Sequence, residues 1–341
     1  MNKFVRVLRK YVRILFKPLI RAKKAFRIVL DIPSRLGRLE LSLSEHRLES
    51  RVLYGALALP SGDIWRNKPV LVEGAPGVNA FPCSTGCRQD SFEQPWFSYW
   101  TSELHVRLLY HRKLWEYIFI LQALWERGAL RDGARGLGFG VGTEPLSALF
   151  ASRGCEIVAT DMASAEAADV GWAISQQHAA NKEQLWWPDI CPRKTFDENV
   201  KFTECDMNSI PAELAGFDFC WSSCALEHLG SIEHGLVFIE NSIACLKPGG
   251  WAVHTTEFNI QSNDETVDNR ETVIFRRRDF EELEKRLLAK GHRLAPLDFN
   301  PGFDPIDNYV DVPPYRNEPC LRIALFGFSA TSFGLIVHRG A

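Results

Sequence analysis

GLGFGVG, residues 136–142, follows a short apolar run and leads into a stretch of helical spacing. Its glycines at 138, 140 and 142 make a GxGxG turn. Where a strand passes into a helix, missing side chains let backbone N–H groups approach a ligand, and the following helix dipole favours the ligand's negative end. A dinucleotide fingerprint needs GxGxxG, but three positions after Gly140 stands Thr143, so the nicotinamide reading fails by one residue. Alone, the triplet serves a tight packing turn equally well.

Outward from that turn the pattern is regular. Short apolar runs at 135–139, 156–161, 200–205, 217–222 and 251–256 alternate with helical stretches. Such alternation predicts an α/β fold, a parallel sheet with helices on both faces. Runs at 320–328 and 332–338 are joined by Ser329-Ala330-Thr331, too short for a helix, and predict a C-terminal antiparallel hairpin beside the five parallel strands. LKPGG at 246–250 reads as punctuation, Pro248 ending a helix and two glycines turning into the fifth strand. Asp161, followed by Met162, closes the second run, where a carboxylate is placed to accept from ribose hydroxyls. Asp206 and Met207 close the third. One strand-end acid is a common turn residue, but two beside a glycine turn converge on one crevice.

The succession of GLGFGVG, Asp161, Asp206-Met207, FDFCWSSCALEHL at 217–229, LKPGG and the closing hairpin resembles the class I S-adenosylmethionine-dependent methyltransferases, over about residues 130–341. That resemblance implies a Rossmann-like sheet and S-adenosylmethionine as cofactor. By it, Gly138, Gly140 and Gly142 would cradle the methionine part, Asp161 and Met162 would meet the ribose, and Asp206 and Met207 would flank adenine. Trp221-Ser222-Ser223-Cys224 would line the floor under the sulfonium, with Ser223 a cofactor contact. The family often carries an acid two residues before the first glycine. Here Gly136 holds that place, and Glu144, just past the turn, is the candidate replacement; a first-turn acid favoured by the helix dipole is the plainer reading. HRKLWE at 111–116, leading to GLGFGVG, is similar to enzymes of bacterial polysaccharide assembly, which implies O-methylation of a saccharide or lipid-linked glycan.

Methyl transfer asks a protein chiefly to align acceptor and methyl and to exclude water. A hydroxyl acceptor must also lose a proton to His, Asp or Glu. Residues after the fourth and fifth runs are placed for this: Glu227 and His228 in ALEHL, and Glu257 in WAVHTTEF. His254, inside an apolar strand, reads as a satisfied core histidine, and Asn259 as a contact for a polar acceptor. Trp186-Trp187-Pro188-Asp189 and the polar stretch 258–278, ending in Arg276-Arg277-Arg278, are expected to build the acceptor site. Aromatic rings beside carboxylates suit sugars. Equally, the tryptophans anchor a lid in the core and the arginines begin a helix at Asp279. Besides the glycan enzyme, two further functions stay open: a methyltransferase of small non-sugar molecules, and a binding or scaffold protein of the same fold without turnover.

Composition bounds these readings. The 341 residues are 46% hydrophobic and 24% charged, ordinary globular usage. Net charge is −2, yet residues 1–30 carry ten Lys and Arg and no acid, leaving −12 on the remainder. An acidic body is a poor nucleic-acid binder. On a helical wheel Phe4, Leu8, Tyr11, Val12, Leu15 and Leu19 oppose Lys3, Arg6, Arg9, Lys10, Arg13 and Lys17, an amphipathic basic helix suited to an anionic membrane surface or to packing on the body. The expected division is a basic helix at 1–30, a helical and irregular extension at 31–102, and a methyltransferase domain at 103–341 with a lead-in helix over 103–126. Within the extension, 32–53 reads as a second helix and 54–100 as irregular. Nine scattered cysteines form no disulfide framework and fit a reducing cytoplasm, at or near the inner membrane face. Cys83 and Cys87 make half a metal site at best, so no metal is expected.

Overall fold

The computed structural model of the chain describes residues 32, 33, 35–37, 39–43, 75–163 and 178–341. The chain divides into two units, Met1–Leu53 and Tyr54–Ala341. In the first, the described residues are helical, with Ile32, Leu36, Leu39, Leu41 and Leu43 exposed. The basic helix expected over 1–30 lies outside the described residues. Among those described, no helix is long and apolar enough to cross a membrane.

The second unit opens with β1 (Ser84–Gly86), α1 (Gln89–Phe92), α2 (Pro95–Glu103) and α3 (Arg112–Glu126). The alternating part follows as β2 (Arg135–Gly138), α4 (Leu146–Ser152), β3 (Glu156–Asp161), α5 (Arg193–Asn199), β4 (Val200–Glu204), β5 (Phe217–Ser223), α6 (Ile232–Ala244), β6 (Leu246–Asn259) and α7 (Arg277–Ala289). Short strands β7 (Arg293–Leu294), β8 (Leu297–Asp298) and β9 (Val310–Asp311) precede the hairpin β10 (Arg322–Leu325) and β11 (Phe328–His338). Strand order is β4-β3-β2-β5-β6-β11-β1-β8. The first five pair in parallel, and β11 runs antiparallel to β6. This is the sheet expected, five parallel strands closed by an antiparallel hairpin.

Period-two alternation divides the core between the faces. Phe219, Trp221, Val253 and Ile336 pack with Trp115, Phe119 and Phe150 from α3 and α4. Their neighbours Cys220, Ala252, Leu335 and Val337 pack with Ile239, Phe280 and Leu283 from α6 and α7. Helices thus cover both faces.

Four local expectations need correction. The hairpin turns at Phe326-Gly327, not at 329–331, because those two residues take φ of +50° and +90°, the left-handed pair that a two-residue hairpin requires; Ala330 and Thr331 instead pair with Asn259 and Phe258. LKPGG is no simple turn: Leu246 already pairs with Phe217, and a register shift absorbs the extra residues before Trp251 pairs with Phe219. The helix expected over 103–126 is broken. Leu104 caps α2, His105 sits at φ +52°, and His111 caps α3 by accepting from the Lys113 N–H. Residues 75–102, read as part of an irregular extension, supply a strand to the sheet and Phe81, Phe92, Phe97 and Trp100 to the core around α3.

Candidate active site

The chain runs outward from β2 to β3 and β4, then restarts on the other side at β5. Loops after β2 and β5 therefore part, and a crevice opens at the carboxyl edge of the sheet. A cleft of about 440 Å³ occupies it.

The turn after β2 is shaped for close approach. Gly140 and Gly142 take φ of +55° and +51°. A Cβ on Gly140 would stand 2.8 Å from Ala225 Cβ and 3.2 Å from Met207 Sδ, both lining the cleft. Gly138 is different: its Cβ would meet Trp221 Cζ2 at 2.4 Å and Val141 Cγ1 at 2.5 Å. It lines no part of the cleft, so its expected role as a cradle is corrected to making room for the Trp221 ring. At Gly136 a Cβ would strike the Phe219 ring at 2.4 Å, and no acid fits there.

Two acids line the cleft from β3 and from the turn. Asp161 is 7% exposed; its Oδ2 accepts from the N–H groups of Gly142 and Ala179, 3.0 Å each, and Oδ1 accepts from Met162 N–H at 2.9 Å. Oδ1 keeps capacity for a further donor. Burial raises its pKa against the pull of those donors. Glu144 is buried, and its Oε1 accepts from Trp221 Nε1 at 2.6 Å. Burial pushes Glu144 up to about 8, the indole bond opposing. Met162, Asp206, Met207 and Ser223 also line the cleft. Asp206 Oδ1 accepts from Asn208 N–H at 2.8 Å, which shapes the turn after β4.

Lys113 and Tyr117, one helical turn apart on α3, form the wall facing these groups. Lys113 Nζ is 2.6 Å from Glu116 Oε2. The wholly buried Glu116 also accepts from Arg112, Ser223 and Ser332. Burial alone would raise the Glu116 pKa, but Lys113 and Arg112 outweigh it and hold the group at about 2. Sequence reading missed this wall. Its signal was charge inside an apolar helical run: Lys113, Glu116 and Tyr117 share one face at i, i+3 and i+4.

His228 lines the opposite side with Glu271 and Thr272. Its Nδ1 lies 3.0 Å from the Glu271 carbonyl. Thr272 Oγ1 lies 3.2 Å from the same nitrogen; a carbonyl can only accept, so the shorter contact to Glu271 makes Nδ1 the protonated nitrogen and Nε2 the basic one. Burial lowers the imidazole pKa to about 4.

Glu227 and Glu257 are not in the cleft. They lie behind its wall, where their carboxylates and Cys224 Sγ come within 4.8 Å of one another. Direct catalysis by either is corrected on that ground. This trio is the one grouping with metal-ligand spacing among the described residues; Cys83 and Cys87 are free thiols elsewhere. His254, wholly buried, bonds Ser222 and Ser242 through its two nitrogens. Asn259 is consumed by its own loop, accepting from Gln261 and Ser262 N–H and donating to the Glu265 carbonyl, so it is no acceptor contact. Trp186 and Trp187 pack against the core rather than the cleft. Arg276 caps α7 through Asp279, and Arg277 and Arg278 pair with Glu281 and Asp264. The 258–278 stretch thus reaches the cleft through Glu271 and Thr272 rather than through Asn259 or the arginines, and the tryptophan insertion does not line it.

A family model described as a methyltransferase domain matches residues 110–301. No relative of curated function matches the sequence. Among solved structures, the chain is similar to magnesium protoporphyrin IX methyltransferase from Synechocystis PCC 6803 with bound S-adenosylhomocysteine, at 12% identity and TM-score 0.41, covering 82% of this chain and 94% of that one. A methyltransferase from Aquifex aeolicus gives 15% identity and TM-score 0.35 over 64% and 88%. Phosphoethanolamine N-methyltransferase 2 of Haemonchus contortus gives 19% and 0.35 over 51% and 37%.

Proposed function

The chain belongs to the methyltransferase domain family, and from that premise we propose that it moves a methyl group from S-adenosylmethionine to a hydroxyl of a polar acceptor. The cleft has the chemistry for the cofactor. Gly140 leaves space that a Cβ would take, and Asp161 keeps acceptor capacity beside it. Asp161 and Met162 would hold the ribose, Asp206 and Met207 the adenine. The amino-acid end, a zwitterion, would lie between Glu144, which would ionise on receiving the ammonium group, and the Lys113 ammonium, both of which line the cleft.

When bound, S-adenosylmethionine supplies a methyl group on a cationic sulfur. What remains for the protein is to take the acceptor's proton, and the His228 tautomer is the observation that carries the hydroxyl reading. Nδ1 is held by the Glu271 carbonyl, which leaves Nε2 as the basic nitrogen of a ring that lines the cleft. A pKa of about 4 keeps the imidazole neutral near pH 7. So weak a base takes a proton only as the new oxygen–carbon bond makes the acceptor acidic, which ties proton removal to methyl transfer.

A saccharide or lipid-linked glycan is the acceptor to test first, although Trp186 and Trp187 no longer support it. Residues 1–30 would bring the enzyme to an anionic membrane surface at the inner face of the cytoplasmic membrane. The experiment is transfer of labelled methyl from the cofactor into a glycan and metabolite library, with mass spectrometry of the product. Label on oxygen supports the reading; label only on nitrogen, or no transfer by a protein that binds S-adenosylhomocysteine, overturns it.

A further inference from the structure

Glu227 and Glu257, 1% and 5% exposed, bring their carboxylate oxygens within 4.8 Å of each other behind the cleft wall. Around them stand Arg112, Lys113 and Glu116 from α3, Cys224 and His228 from the loop after β5, and Asp311, Tyr315 and Cys320 from the segment leading to β10. Arg112 Nη1 lies 2.5 Å from Glu257 Oε1 and 3.3 Å from Glu116. Lys113 is paired with Glu116. Two cations thus serve three buried carboxylates, and the cluster is one positive charge short.

A second shortfall lies in the hydrogen bonds. Thr256 Oγ1 donates to Glu227 Oε2 at 3.0 Å. Glu257 Oε2 is buried and has no donor among the described residues, an arrangement proteins rarely leave standing. One proton on Glu227 supplies both the missing charge and the missing donor. Glu227 is the carboxyl to carry it, because Glu257 has the guanidinium.

We infer that Glu227 is a carboxylic acid donating its proton to the Glu257 carboxylate, and that this pair positions the turn bearing His228. The turn Leu226–His228 sends Glu227 inward and His228 to the cleft. It is tied to the neighbouring segment by Val273 N–H to the Glu227 carbonyl, 2.9 Å, and by His228 to the Glu271 carbonyl. Ionising Glu227 would set two anions against each other beneath that turn. Glu227 is then a positioning residue, and the inference rests on His228 being the base. A divalent cation held by Cys224, Glu227 and Glu257 is the rival. Arg112 against Glu257 repels it, and burial with the nearby carboxylates keeps Cys224 a thiol.

Infrared difference spectroscopy of the full chain tests the proton directly. Beside the band that Glu144 contributes, a second buried protonated-carboxyl band that shifts in deuterium oxide is expected in the native protein, lost in Glu227→Gln and retained in Lys113→Met. NMR of labelled histidine reads the positioning. Glu227→Gln keeps a donor toward Glu257 and should preserve the Nδ1-H tautomer of His228; Glu227→Ala should lose it. Melting followed with pH gives a third reading. A carboxyl whose pKa is raised on folding contributes stability that is full below the unfolded carboxyl pKa and is lost as pH rises. With burial raising Glu227 from 4.5 to about 8, the native protein should therefore lose melting temperature between about pH 5 and 8, and Glu227→Gln should lose less. Absence of the second band, a Gln variant that behaves like the Ala variant, or stoichiometric metal removed by chelator each overturns the inference. Binding of S-adenosylhomocysteine, measured on the same samples, shows separately whether the cofactor reading has failed.

Discussion

Replacing Glu144 by Gln should change how cofactor binding depends on pH, more than whether binding occurs. In the protein alone, burial raises the Glu144 carboxyl to a pKa of about 8. If it receives an ammonium group, only its ionised form binds well, and binding must expel the proton. With that pKa, about 0.9 proton leaves per S-adenosylhomocysteine bound at pH 7. Affinity should then rise about ninefold from pH 6 to 7 and about fivefold from 7 to 8. At pH 8 the charge-assisted bond is worth roughly 1.5–3 kcal/mol, so Glu144→Gln weakens binding there by about 10- to 150-fold. From pH 8 to pH 7 the growing cost of ionising Glu144 takes back about 1 kcal/mol, so the difference narrows to about 2- to 30-fold. Calorimetry in two buffers of unlike ionisation enthalpy reads the released proton. Methylthioadenosine, with the same adenosine and sulfur but no amino-acid end, is the control and should bind both proteins alike, independent of pH. Affinity for S-adenosylhomocysteine that is flat from pH 6 to 8, or equal losses for the two ligands, would refute the assignment.

Gly138→Ala should cost about 1–3 kcal/mol by overpacking against Trp221, seen as a lower denaturant midpoint, and by shifting the indole it should also weaken S-adenosylhomocysteine binding. His228→Ala should slow labelled-methyl transfer by roughly 10²–10⁴-fold while cofactor affinity holds, a split visible by running calorimetry beside the transfer assay. Deleting residues 1–30 should abolish sedimentation with anionic vesicles and leave cofactor affinity intact; unchanged sedimentation removes the membrane assignment.

Much of the cofactor side was legible because its residues sit at strand ends, where chain order and crevice geometry are linked. Gly140, Gly142, Asp161, Asp206 and Met207 reach one cleft for that reason. Gly138 misled because a glycine needed for a neighbouring ring and one needed for a ligand look alike in a motif; only the position of Trp221 separates them. Glu227 and Glu257 were found as chemistry but misplaced in depth, since sequence shows which strand end a residue follows but not whether it points into the cleft or behind it. The α3 wall was missed because Lys113 and Glu116 precede the first strand of the alternating pattern, and a surface ion pair has the same spacing. The tryptophans and arginines of the insertions were satisfied locally, by the core and by nearby acids, which composition cannot foresee.

β11 has a divided outer edge. Its first residues pair with β10, Phe333 and Gly334 with β1, and its last two with β7. β11 is thus completed by a strand that precedes the glycine turn in the chain. Until β11 is in place, β1 has no antiparallel partner and the open side of β6 is an unpaired ladder. Loss of even ten C-terminal residues would leave both exposed at once, so a truncated chain should aggregate rather than persist as a smaller enzyme.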